Sequence, residues 1–131
     1  MAAKLILGFR KFDSASAALK HLHWLPIRFR IHFKIAVTVF KCLHGCAPNY
    51  LSDLVRQRKH VRQLRSSTQG TNAIVLEVPF HRRQTFLDRS FCYSGPHVWN
   101  GLPSEIRSCT KFNMFKKSLK TFYFKCAFDC Y

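Results

Sequence analysis

Between Pro26 and Gly45 the chain reads IRFRIHFKIAVTVFKCLH, and this bounded stretch decides the fold class. Residues 27–35 alternate apolar and basic side chains, the pattern of a half-buried strand. The flanks argue for a helix. Proline suits a helix start, Gly45 suits the position just past a helix end, and Pro48 follows. The stretch is also far longer than a common strand of about 5–6 residues. At helical spacing Ile31, Ile35, Val39 and Cys42 share one face, and Phe29, Phe33, Ala36, Phe40 and Leu43 share another. Arg30, Lys34 and Lys41 form the remaining polar stripe. The expectation is a mostly buried helix, with the alternation a by-product of two apolar faces.

The rest of the chain follows from similar punctuation. Residues 1–8 read as the end of a truncated helix stopped by Gly8. Ser16 is the expected N-cap of a short helix that carries Leu19, Leu22 and Trp24 and ends at Pro26. After Pro48 a short helix should turn Tyr50, Leu51, Leu54 and Val55 inward. AIVLEVPF reads as a strand closed by Pro79, and TFLDRSFCY as its partner, with HRRQ between them. The expected pair is Val75–Val78 with Phe86–Tyr93. SCTKFNMFKKSLKTFYFKC is an amphipathic helix with Thr110 as its cap and Phe112, Phe115, Leu119, Phe122 and Cys126 on one face. The chain of 131 residues is thus expected to be one domain, mainly α (α+β): a small helical domain with one short two-stranded β element.

Charge narrows the partners. There are 22 Lys and Arg against 6 Asp and Glu, a net charge of +16. Such a chain repels itself unless a polyanion neutralises it. Nucleic acid, anionic membrane and acidic protein are the candidates. The longest apolar run is far short of a membrane span, so no transmembrane helix is expected, and of the three candidates nucleic acid, not membrane, is the expected partner. The N-terminal apolar stretch is too short for a secretory signal. It is basic, amphipathic and free of acids until Asp13, so a mitochondrial address stands as the alternative to a nuclear or cytoplasmic one. Six cysteines without a signal suggest a reducing compartment. Cys42 and Cys46 are four apart, as are Cys126 and Cys130, with His44 near the first pair. Zinc fingers use tighter pairs and a recognisable histidine spacing. The pairs are therefore read as helix-face packing, and neither a metal nor another cofactor is expected.

GPHVWNGLPSEIR, residues 95–107, is the densest motif. As a catalytic loop it offers only His97 and Glu105, eight residues apart, with no nucleophile at a suggestive offset. As a structural plug it explains more. Ser94 can cap a short helical turn holding Pro96, Val98 and Trp99. Asn100 and Gly101 then reverse the chain, and Pro103 starts another turn with Glu105 near its positive end. Trp99, Leu102 and Ile106 can fill the core. The best binding signal lies elsewhere, in RQRKHVRQLR. Arg56, Arg58, Lys59, Arg62 and Arg65 put five strong cations within ten residues. Guanidinium groups grip phosphate as a fork. Arg82 and Arg83 add a second patch beside His81, and Lys116, Lys117, Lys120 and Lys125 coat the last helix. Phe80, Phe86 and Tyr123 could stack bases, although buried aromatics are the commoner case.

RSFCYSGPHVWNGLPSEIR resembles R-[AS]-F-x4-P-x-[LV]-W-N-x-L-P-x-x-[IL]-R, a pattern that closes the reverse-transcriptase open reading frame of LINE-type non-LTR retrotransposons. AAKLILGFRKFD, ALKHLHWLPIRFRIHFKIAVTVFKCLHGCAPNYLSDL, LRSS, LEVPFHRRQTFLDRSF and FKKSLKTFYF agree with that family in the same order. The resemblance covers nearly the whole chain and implies the C-terminal region of the larger protein, beyond its polymerase core. The family's polymerase uses metal-binding aspartates, two of them adjacent. Here Asp13, Asp53, Asp88 and Asp129 are all isolated, and the endonuclease carboxylate and histidine clusters are missing. The resemblance therefore implies no catalytic residue, and together with the basic run the expectation is a non-enzymatic accessory module that contacts RNA or DNA backbone with low specificity, with no small-molecule substrate. The alternatives are a structural scaffold packed against the polymerase core of the parent protein, and a non-functional relic.

Overall fold

A computed structural model of the chain describes residues 2–8, 10, 12–58, 73–80 and 90–128. Among these, the fold is mainly helical. The elements are α1 (Ala2–Ile6), α2 (Ala15–His21), α3 (Ile27–Leu43), α4 (Asn49–Ser52), α5 (Phe91–Asn100), α6 (Ser104–Arg107) and α7 (Phe112–Phe128).

Helix α3 forms where the proline and glycine punctuation places it. Pro26 occupies the N-cap position with φ −54° and ψ 152°. At the far end Gly45 takes φ +67°, its N–H bonds the Cys42 carbonyl at 3.4 Å, and the Cys46 N–H bonds the Lys41 carbonyl at 2.8 Å. These two reverse bonds satisfy carbonyls that a helix end leaves bare. The same closure ends α2, with His23 at φ +51° in place of glycine and the Trp24 N–H on the Leu19 carbonyl. Trp24 therefore lies outside the helix expected to carry it. That helix also starts earlier than expected. Ser14, not Ser16, holds the N-cap position, because its extended backbone lets the helix-favouring Ala15 open the first turn.

The core gathers on one side of α3. Ala36, Val39 and Phe40 are buried there, and Phe40 stacks on Phe115 at 4.4 Å between ring centroids. Phe29 meets Tyr123 at 5.9 Å, so α3 and α7 run antiparallel. Of the expected face of Ile31, Ile35, Val39 and Cys42, Val39 and Cys42 are buried but Ile31 is 52% exposed, and Ile27 at the helix start is 72% exposed. Phe115, Leu119 and Tyr123 are buried at intervals of four along α7, with Phe112 and Phe122 packed at the core edge. Thr110 does not cap this helix. The Phe115 N–H bonds the Lys111 carbonyl, which puts Lys111 in the capping position. Helix α4 is too short to turn four apolar side chains inward. Val55 reaches the core, while Tyr50 and Leu54 remain exposed.

The expected strand pair is corrected. Val75 and Leu76 do lie in an extended segment, but among the described residues its bridge is an antiparallel one from Leu76 to Gln57. Phe91–Tyr93 belong to α5, and residues 86–89 lie outside the described ones. Helical spacing explains α5: Phe91, Gly95, Val98 and Trp99 share the side that meets the core. Ser94 does not start it. Its hydroxyl sits one turn in and donates to the Ser90 carbonyl at 2.9 Å. Gly95 sets how closely α5 approaches α3, since a Cβ there would lie 3.2 Å from Val39 Cγ2. Gly95→Val is expected to cost about 1–3 kcal/mol through overpacking. A lowered urea midpoint would show it; an unchanged midpoint would mean that the two helices do not touch at that point.

His32 lies where α3, α5 and α7 meet. Burial lowers its pKa from the usual 6.5, and the positive charge of Arg28 and the neighbouring His97 add to the effect. The unfolded chain therefore takes up this proton first. Stability is full above about pH 6.5 and falls as pH drops towards the lowered folded value. His32→Gln should flatten that acid limb in thermal melts; an identical limb in the variant would exclude His32 as its source.

Candidate nucleic-acid interface

The dense motif is a clasp on the extended segment. The Trp99 indole is 1% exposed, and its Nε1–H donates to the Ile74 carbonyl at 2.9 Å. The next side chain acts like a short strand. Asn100 Oδ1 accepts the Leu76 N–H at 2.9 Å, and Asn100 Nδ2 donates to the Leu76 carbonyl at 2.8 Å. A carboxamide carries the same donor and acceptor as a peptide group, so it can satisfy a strand edge. Arg107 completes the clasp, with Nη1 on the Ile74 carbonyl at 3.3 Å and Nε on the Leu102 carbonyl at 3.0 Å. Leu102 and Ile106 are buried beneath it. His97 and Glu105, the only groups in the motif suited to proton transfer, are both exposed. The His97 ring lies 5.9 Å from that of Tyr93.

The opposite edge of the segment holds the root of the basic run. The Arg58 N–H bonds the Val75 carbonyl and the Glu77 N–H bonds the Arg56 carbonyl, each at 2.9 Å. This register puts Arg56 across from Glu77 and Arg58 across from Val75. Both arginines are exposed, on the face turned away from buried Leu76. Arg56 also borders a cleft of about 320 Å³ with Asp53, Leu54, Glu77, Pro79 and Cys92. Two carboxylates thus sit near Arg56, whereas Arg58 faces an apolar neighbour. Lys59, Arg62, Arg65, Arg82 and Arg83 lie outside the described residues.

The remaining cations follow the long helices. Lys116, Lys117, Lys120 and Lys125 of α7 are exposed, as are Arg28, Arg30, Lys34 and Lys41 of α3. Lys41 Nζ and Lys116 Nζ stand 5.6 Å and 5.4 Å from the centre of the same Phe112 ring. The sequence displays both stripes, but only the packing of α3 on α7 brings them side by side. Tyr123 and Phe115 are buried, so neither can stack on a base, while Phe80 is 94% exposed.

The histidine and cysteine positions are otherwise engaged. His44 Nδ1 contacts the Phe40 carbonyl at 2.9 Å, and its ring stacks on Phe40 at 3.9 Å. Burial pushes the Cys42 thiol pKa up, against the thiolate that a metal requires. Among the described residues no three His, Cys, Asp or Glu side chains converge to hold a metal ion, and no helix is long and apolar enough to cross a membrane. Cys130 lies outside the described residues. Compared with protein-family models, curated proteins and solved structures, the chain matches none.

Proposed function

We propose that this chain is a non-catalytic nucleic-acid-binding module that grips the backbone of RNA or DNA with little sequence preference. More particularly, the motif order supports an accessory C-terminal region of a LINE-type retrotransposon reverse transcriptase, acting in the nucleus or cytoplasm. The observation that carries the reading is the exposed Arg56–Arg58 stretch, hydrogen-bonded to the clasped segment at the root of a run of five cations. A fixed root lowers the ordering cost of binding a flexible polyanion. Phosphate contacts need no groove-reading element, and nothing in the run resembles one.

The test replaces Arg56, Arg58, Lys59, Arg62 and Arg65 together by Gln and measures binding to labelled single-stranded RNA and DNA. Weaker binding to both, with an unchanged melting temperature, is the expected result. Unchanged RNA affinity in a folded variant would make the run a solvated surface. The scaffold reading would then lead, supported by the exposed apolar side chains of Leu5, Ile6 and Phe12.

A further inference from the structure

We propose that Lys34 and Lys41 of α3 and Lys116 and Lys120 of α7 form a second binding surface, one that takes the sugar–phosphate backbone of double-stranded nucleic acid. This rests on the reading of the chain as a nucleic-acid-binding module, and adds a second site and a duplex as its substrate.

The two longest helices carry four cations each and not one Asp or Glu. They pack antiparallel, with Phe40 against Phe112 and Phe115 at one end and Phe29 against Tyr123 at the other. On α3, Lys34 and Lys41 are seven residues apart, about 10 Å along the axis. On α7, Lys116 and Lys120 are four apart, about 6 Å. The shared Phe112 ring holds Lys41 and Lys116 within about 11 Å of each other across the two helices. All four side chains are exposed. Among the described residues no carboxylate pairs with any of them.

Like charges one helical turn apart destabilise a helix. A polyanion laid across both rows relieves that repulsion at Lys116 and Lys120 and releases its own condensed counterions. A duplex suits the surface better than a single strand. Single-strand sites add aromatic platforms for unpaired bases, and here Phe115 and Tyr123 are buried while Phe112 lies beneath two ammonium groups. A rigid two-row array instead matches the dense and regular charge of a duplex. A membrane surface needs apolar side chains beside the cations. Exposed Ile31 lies one turn from Lys34 but ten residues, about 15 Å, from Lys41, so apolar side chains border only one end of the surface.

The experiment compares the full chain with a variant carrying Lys34→Gln, Lys41→Gln, Lys116→Gln and Lys120→Gln, and with the corresponding four-Arg variant. The probes are a labelled DNA duplex of about 20 base pairs, one of its strands alone, and phosphatidylserine vesicles, at about 100 mM salt. The four-Gln variant should bind the duplex at least about tenfold more weakly, with a salt dependence flattened by about 0.9 for each cation lost. Its single-strand binding should stay near that of the unaltered chain, and the four-Arg variant should keep duplex binding. Unchanged duplex binding by a folded four-Gln variant, or an equal loss on duplex and single strand, would overturn the proposal. So would a loss confined to vesicles. Failure of the unaltered chain to bind the single strand would instead strike the basic-run reading, which leaves the two outcomes distinguishable.

Discussion

Trp99→Ala is expected to unfold the protein or leave it barely folded. Removing a buried large aromatic costs about 3–5 kcal/mol, against a total stability of about 5–15 kcal/mol for a domain. Trp99 is 1% exposed, lies 5.7 Å from the Phe115 ring, and donates to the Ile74 carbonyl. The substitution therefore opens a cavity and removes one anchor of the extended segment together. Trp99→Phe should lose less, because it keeps most of the packing and gives up the hydrogen bond. Thermal melting separates these outcomes. A melting temperature that barely moves in Trp99→Ala would place the indole at the surface and end the plug reading.

Asn100→Leu is the second large effect. It keeps a side chain of similar size and strips both bonds from Leu76. A polar group left unpaired in a buried position costs about 1–3 kcal/mol, and here an N–H and a carbonyl lose their partners at once. Asn100→Asp keeps an acceptor for the Leu76 N–H but sets a carboxylate against the Leu76 carbonyl, so it should not restore stability. Hydrogen exchange gives the local readout: the Leu76 amide should lose protection in Asn100→Leu before the helical core does. A stability change within about 0.5 kcal/mol, the range of ordinary surface substitutions, would show that the carboxamide closes no edge.

How far the sequence reveals this arrangement depends on how local each cause is. Helix α3 is legible because Pro26 and Gly45 act on the residues beside them. The expected core of α7 is nearly right, with Tyr123 taking the place given to Phe122 because α3 meets the helix along Phe115, Leu119 and Tyr123. The strand pairing fails for a non-local reason. Phe91–Tyr93 are few and aromatic, and the helical face that Phe91 joins becomes visible only with Gly95, Val98 and Trp99. The edge that a second strand would have taken is filled by side chains from Trp99, Asn100 and Arg107, 24–33 positions away along the chain. Nothing near Leu76 announces an Asn as its partner. For the binding site, the cations are plain in the sequence, but their neighbours are not. Glu77 stands across from Arg56 only once the register of Gln57 on Leu76 is known.

That register fixes the quantitative expectation for binding. Opposite charges across a strand pair attract, so Arg56 gives up least to phosphate and four cations of the run remain. The measurement is the affinity of the unaltered chain for a single-stranded RNA as salt is raised. Four phosphate contacts on a single strand predict a fall of log K with log salt at a slope of roughly −3. A slope near zero, or no binding even at low salt, would contradict the account.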